Sequence, residues 1–226
     1  MNKRIENIIE YLQEKNISCL LVDTPFDVLY LLHINQSFNY IELNIILLIT
    51  KNKVFLVANP LSLALIQEFL PGGIETIEAE TTAYVENHSR YLKEIREIIK
   101  KESLNSIGLT SVQYIDASEM CIRVENPIPY FAGIKTEEEI DLVRNSAAIL
   151  KKVYAKINDM IYDGCGEIEL RNLIDIELHN QGIEKRAFPT KVAFGKKTAT
   201  IFPVSTMEKL KKNDIILIDM GGMYKG

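Results

Sequence analysis

Asp219 is the residue whose surroundings point most directly to chemistry. It follows an apolar run over residues 215–218, which predicts a strand buried on both faces. An ionised carboxylate at the end of such a strand is costly unless a partner compensates its charge. One such partner is a metal ion shared with other carboxylates and a histidine, and the other is a turn amide of Gly221 or Gly222. The local pattern alone leaves both alternatives open.

The three histidines do not indicate a metal site by themselves, because no two of them have the spacing of metal ligands. His33 lies in an apolar stretch and is expected to be a packing residue. His88 lies in a polar helix start, and His179 is expected on a helix surface.

The serines and lysines have equally local interpretations. Ser111 and Ser205 have no histidine close in sequence that would activate a nucleophile. A lysine cluster beside acidic residues favours a solvated turn over an anion site, and it consists of Lys209, Lys211 and Lys212.

The composition excludes several classes of protein. Of 226 residues, 47% are hydrophobic and 25% are charged, which is typical of globular proteins and not of disordered chains. The net charge of −5 gives no general attraction to nucleic acid or anionic lipid, and no apolar run approaches the length needed to span a membrane. The three cysteines lie far apart and are expected to be reduced in a cytoplasmic protein.

The elements of the first half alternate between helix and strand. Helix-spaced apolar residues predict a helix over 5–12, followed by a strand over 17–22. Two apolar runs, 45–50 and 54–58, flank a short polar turn and predict a hairpin. The alternation predicts a mixed α/β fold. Its remaining elements are a helix over 60–70, an extended piece over 74–78, a helix around 91–99 and a strand over 106–109.

A domain boundary is expected between residues 130 and 131, where Pro127, Pro129 and Gly133 should interrupt regular structure. Beyond it, Thr136 and Glu139 match a capping box that opens a long helix reaching about residue 162. Later elements are a helix over 167–181 and strands over 191–194 and 215–218.

The order and spacing of several motifs resemble the aminopeptidase P, prolidase and creatinase family. Residues 1–130 resemble the N-terminal domain of that family, and residues 131–226 resemble the first part of its pita-bread catalytic domain. The motifs are residues 30–32, residues 135–140 with Arg144 and residues 147–148, the helix start at 164–169, and segments 188–195 and 210–226.

This resemblance implies a metal-dependent Xaa-Pro peptidase that hydrolyses the bond before proline in a peptide. The family uses two divalent metal ions (Mn, Co or Zn) that bridge an activated water. By position, Asp219 corresponds to the first metal-binding aspartate, whereas the second belongs to a motif that should begin at Gly226. We therefore expect an incomplete pita-bread domain with one of the expected ligands, which does not retain the metals by itself.

The sequence also departs from the family pattern over residues 195–205. Phe202 stands where the family has a histidine that lines the site, Lys197 replaces an asparagine, and Ser205 lies near a frequent proline. A phenyl ring neither donates a hydrogen bond nor transfers a proton, so the contribution of that histidine is expected to be absent.

Two functions follow from these observations. The first is the front part of an Xaa-Pro metallopeptidase that is inactive as this chain alone and needs more chain or a complementing chain. The alternative is a non-catalytic binding or assembly module derived from the family. Residues 189–226 are expected to leave an open sheet edge, and hence to form homo-oligomers or to be poorly ordered.

Overall fold

The computed structural model describes residues 2–34, 43–79, 91–110 and 121–226. These residues form two compact units, Met1–Ile134 and Lys135–Gly226. Each unit has its own buried cluster of apolar side chains, so each is described separately.

The first unit is built on a six-stranded mixed sheet with the strand order β4-β3-β2-β1-β5-β6. β2 pairs antiparallel with both β1 and β3, which confirms the predicted hairpin, and the other neighbouring strands pair in parallel. The strands are β1 (Cys19–Val22), β2 (Ile45–Thr50), β3 (Val54–Ala58), β4 (Ile74–Glu78), β5 (Ile107–Leu109) and β6 (Cys121–Arg123).

Helices cover both faces of this sheet, because alternate side chains of its central strands point to opposite faces. Leu20 and Val22 pack with the first helices on one face, whereas Cys19 and Leu21 pack with the fourth helix on the other. The helices are α1 (Lys3–Glu14), α2 (Pro25–Leu31), α3 (Pro60–Ile66), which continues as a 3-10 turn over Gln67–Phe69, and α4 (Leu92–Lys101).

The expected interruption of regular structure around residue 130 is wrong. A short helix, α5, covers Ile128–Gly133, and its Ile128 is buried in the core of the first unit. Pro127 and Pro129 lie at the N-cap and in the first turn, where a helix tolerates proline because those positions have no intrahelical partner for an N–H. The expected boundary between 130 and 131 falls inside this helix.

The second unit begins with α6 (Glu137–Met160), and the predicted capping box is confirmed. The Thr136 side chain accepts a bond from the Glu139 amide, and the Glu139 carboxylate accepts one from the Thr136 amide. Val153 and Ile157 are buried, whereas Val143 on the same helix is 61% exposed. Helix α7 (Glu167–Asn180) follows and buries Leu170, Ile174 and Leu178 in the same core.

Two small antiparallel pairs complete the second unit. β8 (Lys191–Phe194) pairs with β9 (Ile216–Asp219), and β7 (Lys185–Arg186) pairs with β10 (Gly222–Met223). The prediction that residues 215–218 are buried on both faces is wrong, because Ile215 is exposed and residues 216–218 are half-buried. Within the described residues, β9 pairs along one edge and packs against the core of its unit on one side.

Within the described ranges, no helix is both long enough and apolar enough to cross a membrane.

Candidate functional site

The candidate site lies where β8 and β9 pair in the second unit. The antiparallel register places Lys191 opposite Asp219 and Val192 opposite Ile218. Side chains of directly opposed residues lie on the same face of a sheet and are close enough to interact. The strand pairing therefore gives Asp219 a lysine as its direct neighbour.

Lys191 is the cationic partner of Asp219. Its Nζ atom donates to Oδ2 of Asp219 at 3.4 Å, with the lysine side chain 23% exposed and the aspartate 48%. The same Nζ lies 4.6 Å from the ring centroid of Phe202 and 5.8 Å from that of Phe188. The ammonium is thus surrounded by one carboxylate and two aromatic faces.

Phe202 lies on an exposed loop between β8 and β9. Its side chain is 73% exposed, and Ile201 and Val204 beside it are 86% and 76% exposed. A phenyl ring offers only its face to a cation and has no hydrogen-bonding atom. At this position the chain can stabilise a positive charge but cannot exchange a proton.

Glu167, at the start of α7, holds both ends of this loop. Its buried carboxylate accepts from the Phe194 amide at 2.9 Å and from the Thr206 amide at 2.7 Å. The Thr206 hydroxyl donates to it at 2.9 Å, and Lys197 Nζ donates at 2.6 Å. One carboxylate therefore binds Phe194 and Thr206 at the two ends of the segment that carries Phe202, and Lys197 near its start.

These contacts shift the pKa values of both charged groups. Burial by itself raises the pKa of the Glu167 carboxyl, but hydrogen bonds from Lys197, Thr206 and Phe194 outweigh it and hold the pKa below its ordinary value. The hydrogen bond to Glu167 raises the pKa of the Lys197 ammonium above its ordinary value. Both groups are charged at neutral pH, so they form a true ion pair.

Sequence reasoning missed Lys191 and the role of Glu167. Lys191 was noted only as part of a motif, although a charged residue at the start of an otherwise apolar strand signals a contact at the sheet end. Glu167 directly follows Gly166, and an acidic residue in a first helical turn gives no indication that it is buried. Lys197 was noted as a departure from the family, and its partner depends on the tertiary structure.

The other candidate residues have structural roles or lie outside the described residues. Ser205 donates to the Val192 carbonyl at 2.8 Å and accepts from the Val192 amide at 3.0 Å, so its hydroxyl is engaged by β8. The prediction that His33 packs in the core is wrong, because it is exposed in a left-handed turn after α2 with φ 57°. His179 is exposed, as predicted. His88 and Ser111 lie outside the described residues.

The lysine cluster lies in a polar turn. Asp214 accepts a bond from the Lys211 amide at 3.0 Å, and Lys209 forms an ion pair with Glu169 at 3.5 Å. Lys211 and Lys212 are exposed, which confirms the prediction of a solvated turn.

The metal pair implied by the resemblance does not fit the described residues alone. No three His, Cys, Asp or Glu side chains come together in a ligating arrangement within the described part of the chain. Asp219 offers one carboxylate whose nearest cation is the Lys191 ammonium. Oxygen-coordinated divalent ions take several protein ligands, so Asp219 would need donors beyond those described here.

Comparisons with known proteins agree with this architecture. Residues 141–226 match the model of metallopeptidase family M24. An Xaa-Pro dipeptidase from Pyrococcus horikoshii is 24% identical over 236 aligned residues, which cover 100% of this chain and 61% of that protein. A second Xaa-Pro dipeptidase, from Pyrococcus furiosus, is 28% identical over 102 residues, covering 45% of this chain and 29% of the relative.

Solved structures show the same fold over nearly the whole chain. An Xaa-Pro dipeptidase from Bacillus anthracis superposes with a TM-score of 0.81 at 20% identity, covering 99% of this chain and 61% of that one. An X-Pro aminopeptidase from Thermotoga maritima gives 0.79 at 19% identity, covering 98% and 61%. The chain thus spans about three-fifths of the length of these neighbours and has the pita-bread prolidase fold over that length.

Proposed function

We propose that the chain belongs to the aminopeptidase P and prolidase family of pita-bread metallopeptidases and is the front part of a metal-dependent Xaa-Pro peptidase. The family model over residues 141–226, the Xaa-Pro dipeptidase relatives and the shared fold support this proposal. The residues of this chain supply the N-terminal domain, the first part of the catalytic domain and one metal ligand, Asp219. We further propose that the 226 residues on their own do not hydrolyse Xaa-Pro bonds. The contact that carries this proposal is the Lys191–Asp219 ion pair beneath Phe202.

The ion pair and Phe202 each support inactivity of the isolated chain. A lone carboxylate that already has an ammonium partner is a poor ligand for Mn²⁺, Co²⁺ or Zn²⁺. Phe202 then takes the place of a proton-transferring side chain, which lowers catalysis even where metal is supplied. We assign no step of peptide hydrolysis to the described residues alone.

The substrate class and partner belong to the same proposal. The relatives are Xaa-Pro dipeptidases, which supports a proline-containing peptide as the substrate of the complete enzyme. The missing ligands would come from further chain, from a complementing chain or from a second copy.

The proposal is tested by metal content and hydrolysis of an Xaa-Pro dipeptide with added Mn²⁺. After dialysis, we expect the 226-residue chain to hold far less than one metal ion per chain and to release no proline. In a longer or complemented enzyme that hydrolyses the dipeptide, Phe202→His should raise turnover. Phe188→His is the control, because that ring also faces Lys191 but not from the family's histidine position. Stoichiometric metal with turnover that Asp219→Asn abolishes would overturn the claim of inactivity.

A second candidate function is a non-catalytic binding or assembly module. The observation that favours it is again the pairing of Asp219 with Lys191, since such a carboxylate has a structural partner without any metal. The intact mass of the protein in its native cells separates the two functions. A species well above 25.8 kDa supports the peptidase, whereas a species at 25.8 kDa that binds no metal and gains no activity from other chains supports the module.

A further inference from the structure

The position of the Lys191 ammonium is fixed by backbone pairing. Lys191 and Asp219 are opposed at the end of the β8–β9 ladder, so neither strand has to move for the charges to meet. The lysine side chain is only 23% exposed, which shows that its stem lies along the protein surface and its charged end is held near the carboxylate.

The neighbouring acidic group is already engaged elsewhere. Asp175 accepts from the Thr190 hydroxyl at 2.6 Å and from Arg186 at 3.0 Å. Thr190 directly precedes Lys191, so the carboxylate bound by this neighbouring residue already has its own cation and hydroxyl donor. Asp219 is the carboxylate with which Lys191 forms its ion pair.

Two aromatic rings reinforce this pairing. The ring centroids of Phe202 and Phe188 lie 4.6 Å and 5.8 Å from the ammonium. Aromatic faces attract cations within about 6 Å of the ring centroid, and both rings lie inside that range. Unlike a histidine, neither ring can replace the lysine as a ligand for a metal ion.

We propose that Lys191 is a built-in counter-cation of Asp219 that competes directly with divalent metal ions for this carboxylate. The inference rests on the proposed role of Asp219 as a metal ligand. A metal ion at Asp219 must either displace the Lys191 ammonium from Oδ2 or bind the carboxylate with that positive charge close to its own position. Lys191 therefore lowers the metal affinity of the site, and Phe202 assists by holding the ammonium in place.

The test measures weak Mn²⁺ binding to the 226-residue chain by NMR. Paramagnetic broadening detects metal sites that are too weak to retain the ion during dialysis. The readout is the Mn²⁺ concentration that halves the amide signals of Val192 and Ile218, which lie next to the pair. Lys191→Met removes the charge but keeps an apolar stem of similar length. We expect it to lower that concentration about two- to fivefold, the range that removal of a partly exposed ion pair supports.

Three further variants make the result specific. Lys191→Arg keeps the positive charge and should behave as the wild type. Lys156→Met removes a matched ion pair with Glu177 elsewhere in the unit and should leave Val192 and Ile218 unchanged. Asp219→Asn in the Lys191→Met background should abolish the gain.

Equal broadening in the wild type and Lys191→Met would overturn the proposal, as would a gain that survives Asp219→Asn. The amide spectrum of each variant should have the dispersion of a folded protein, which shows that the change in broadening does not come from unfolding. The NMR result is independent of turnover, so failure of this inference and failure of the proposed peptidase function are distinguishable.

Discussion

Glu167 is the residue on which the geometry of the candidate site depends most. Its carboxylate binds Phe194, Lys197 and Thr206, and these residues bracket the loop that carries Phe202. The side chain is fully buried, so a lost bond cannot be replaced by water without rearrangement. The residue acts through the loop and not on a substrate.

Replacing Glu167 by alanine should destabilise the chain substantially. Removal leaves the Lys197 ammonium and two amides without their acceptor, and we expect the free energy of unfolding to fall by about 3 kcal/mol. Urea denaturation measures this change. Glu208→Gln is the matched control, since Glu208 also pairs with Lys197, at 3.5 Å, but is 45% exposed. Its effect should stay within about 0.5 kcal/mol, and equal effects of the two variants would contradict the assigned role of Glu167.

The ion pair between Glu167 and Lys197 predicts how the stability of the fold depends on pH. The folded-state pKa of Glu167 lies below its ordinary 4.5, so its contribution is complete above pH 4.5 and is lost as the pH falls through the folded pKa. The pKa of Lys197 lies above 10.5, so its contribution is present below pH 10.5 and is lost as the pH rises through the folded pKa.

Urea midpoints measured between about pH 5 and pH 3 test the acid limb. The wild type should lose stability faster with falling pH than Glu167→Gln, which has no titrating carboxyl at this position. Parallel curves for the two proteins would mean that the Glu167 carboxyl does not have a lowered pKa.

At the scale of elements, α6 begins through contacts that are local in sequence, whereas the β8–β9 pair depends on contacts between distant segments. Helix α6 begins through bonds within four residues of sequence, since Thr136 and Glu139 satisfy each other's amides. The β8–β9 pair instead joins segments that are separated by a long loop, and its register decides which side chain faces Asp219. A shift of one residue would turn Lys191 to the other face of the sheet.

Thr136→Ala should lower the free energy of unfolding by about 1 kcal/mol, because it removes the side-chain oxygen that accepts from the Glu139 amide. Thermal or urea unfolding monitored by circular dichroism measures the loss. Lys152→Ala, at an exposed position in the middle of the same helix, is the control and should change stability little. A neutral Thr136→Ala would show that the capping box does not limit the stability of α6.

At the scale of the whole molecule, the second unit carries a concentration of exposed apolar side chains. Ile201, Phe202, Val204 and Met207 are each more than 70% exposed within seven residues, and Ile215 is 71% exposed. Contiguous apolar surface is a common feature of protein interfaces. The expected self-association through residues 189–226 stays a prediction. These exposed apolar side chains are the surface through which we expect the copies to associate.

Light scattering after size exclusion tests this association. We expect the average mass to rise above 25.8 kDa with concentration, and the double variant Ile201→Lys with Val204→Lys to return it to the monomer value. Val143→Lys introduces one lysine at an exposed apolar position on α6 and should not dissociate the oligomer. A wild type that remains at the monomer mass at all concentrations would contradict the prediction.

The sequence by itself determined most of the elements and indicated the family that the chain resembles. Helix periodicity, the capping box and the apolar strands act through neighbours a few residues apart, so α1, the β2–β3 hairpin, α6 and α7 could be predicted from it. The order of motifs was enough to indicate a resemblance to the family, and the comparisons agree with that resemblance. Local patterns did not predict α5, since its prolines indicated an interruption.

Only the tertiary structure decided which partners the charged residues have. Lys191 and Asp219 are 28 residues apart, and Glu167 contacts residues 30 and 39 positions away. A single sequence records the type of each residue but not the strand register or the folding of a loop back to a helix end. The alternatives for Asp219 were therefore a metal and a turn amide, whereas the folded chain gives it a lysine. The physical reason is that electrostatic partners depend on distance in space, which strand pairing sets and sequence spacing does not.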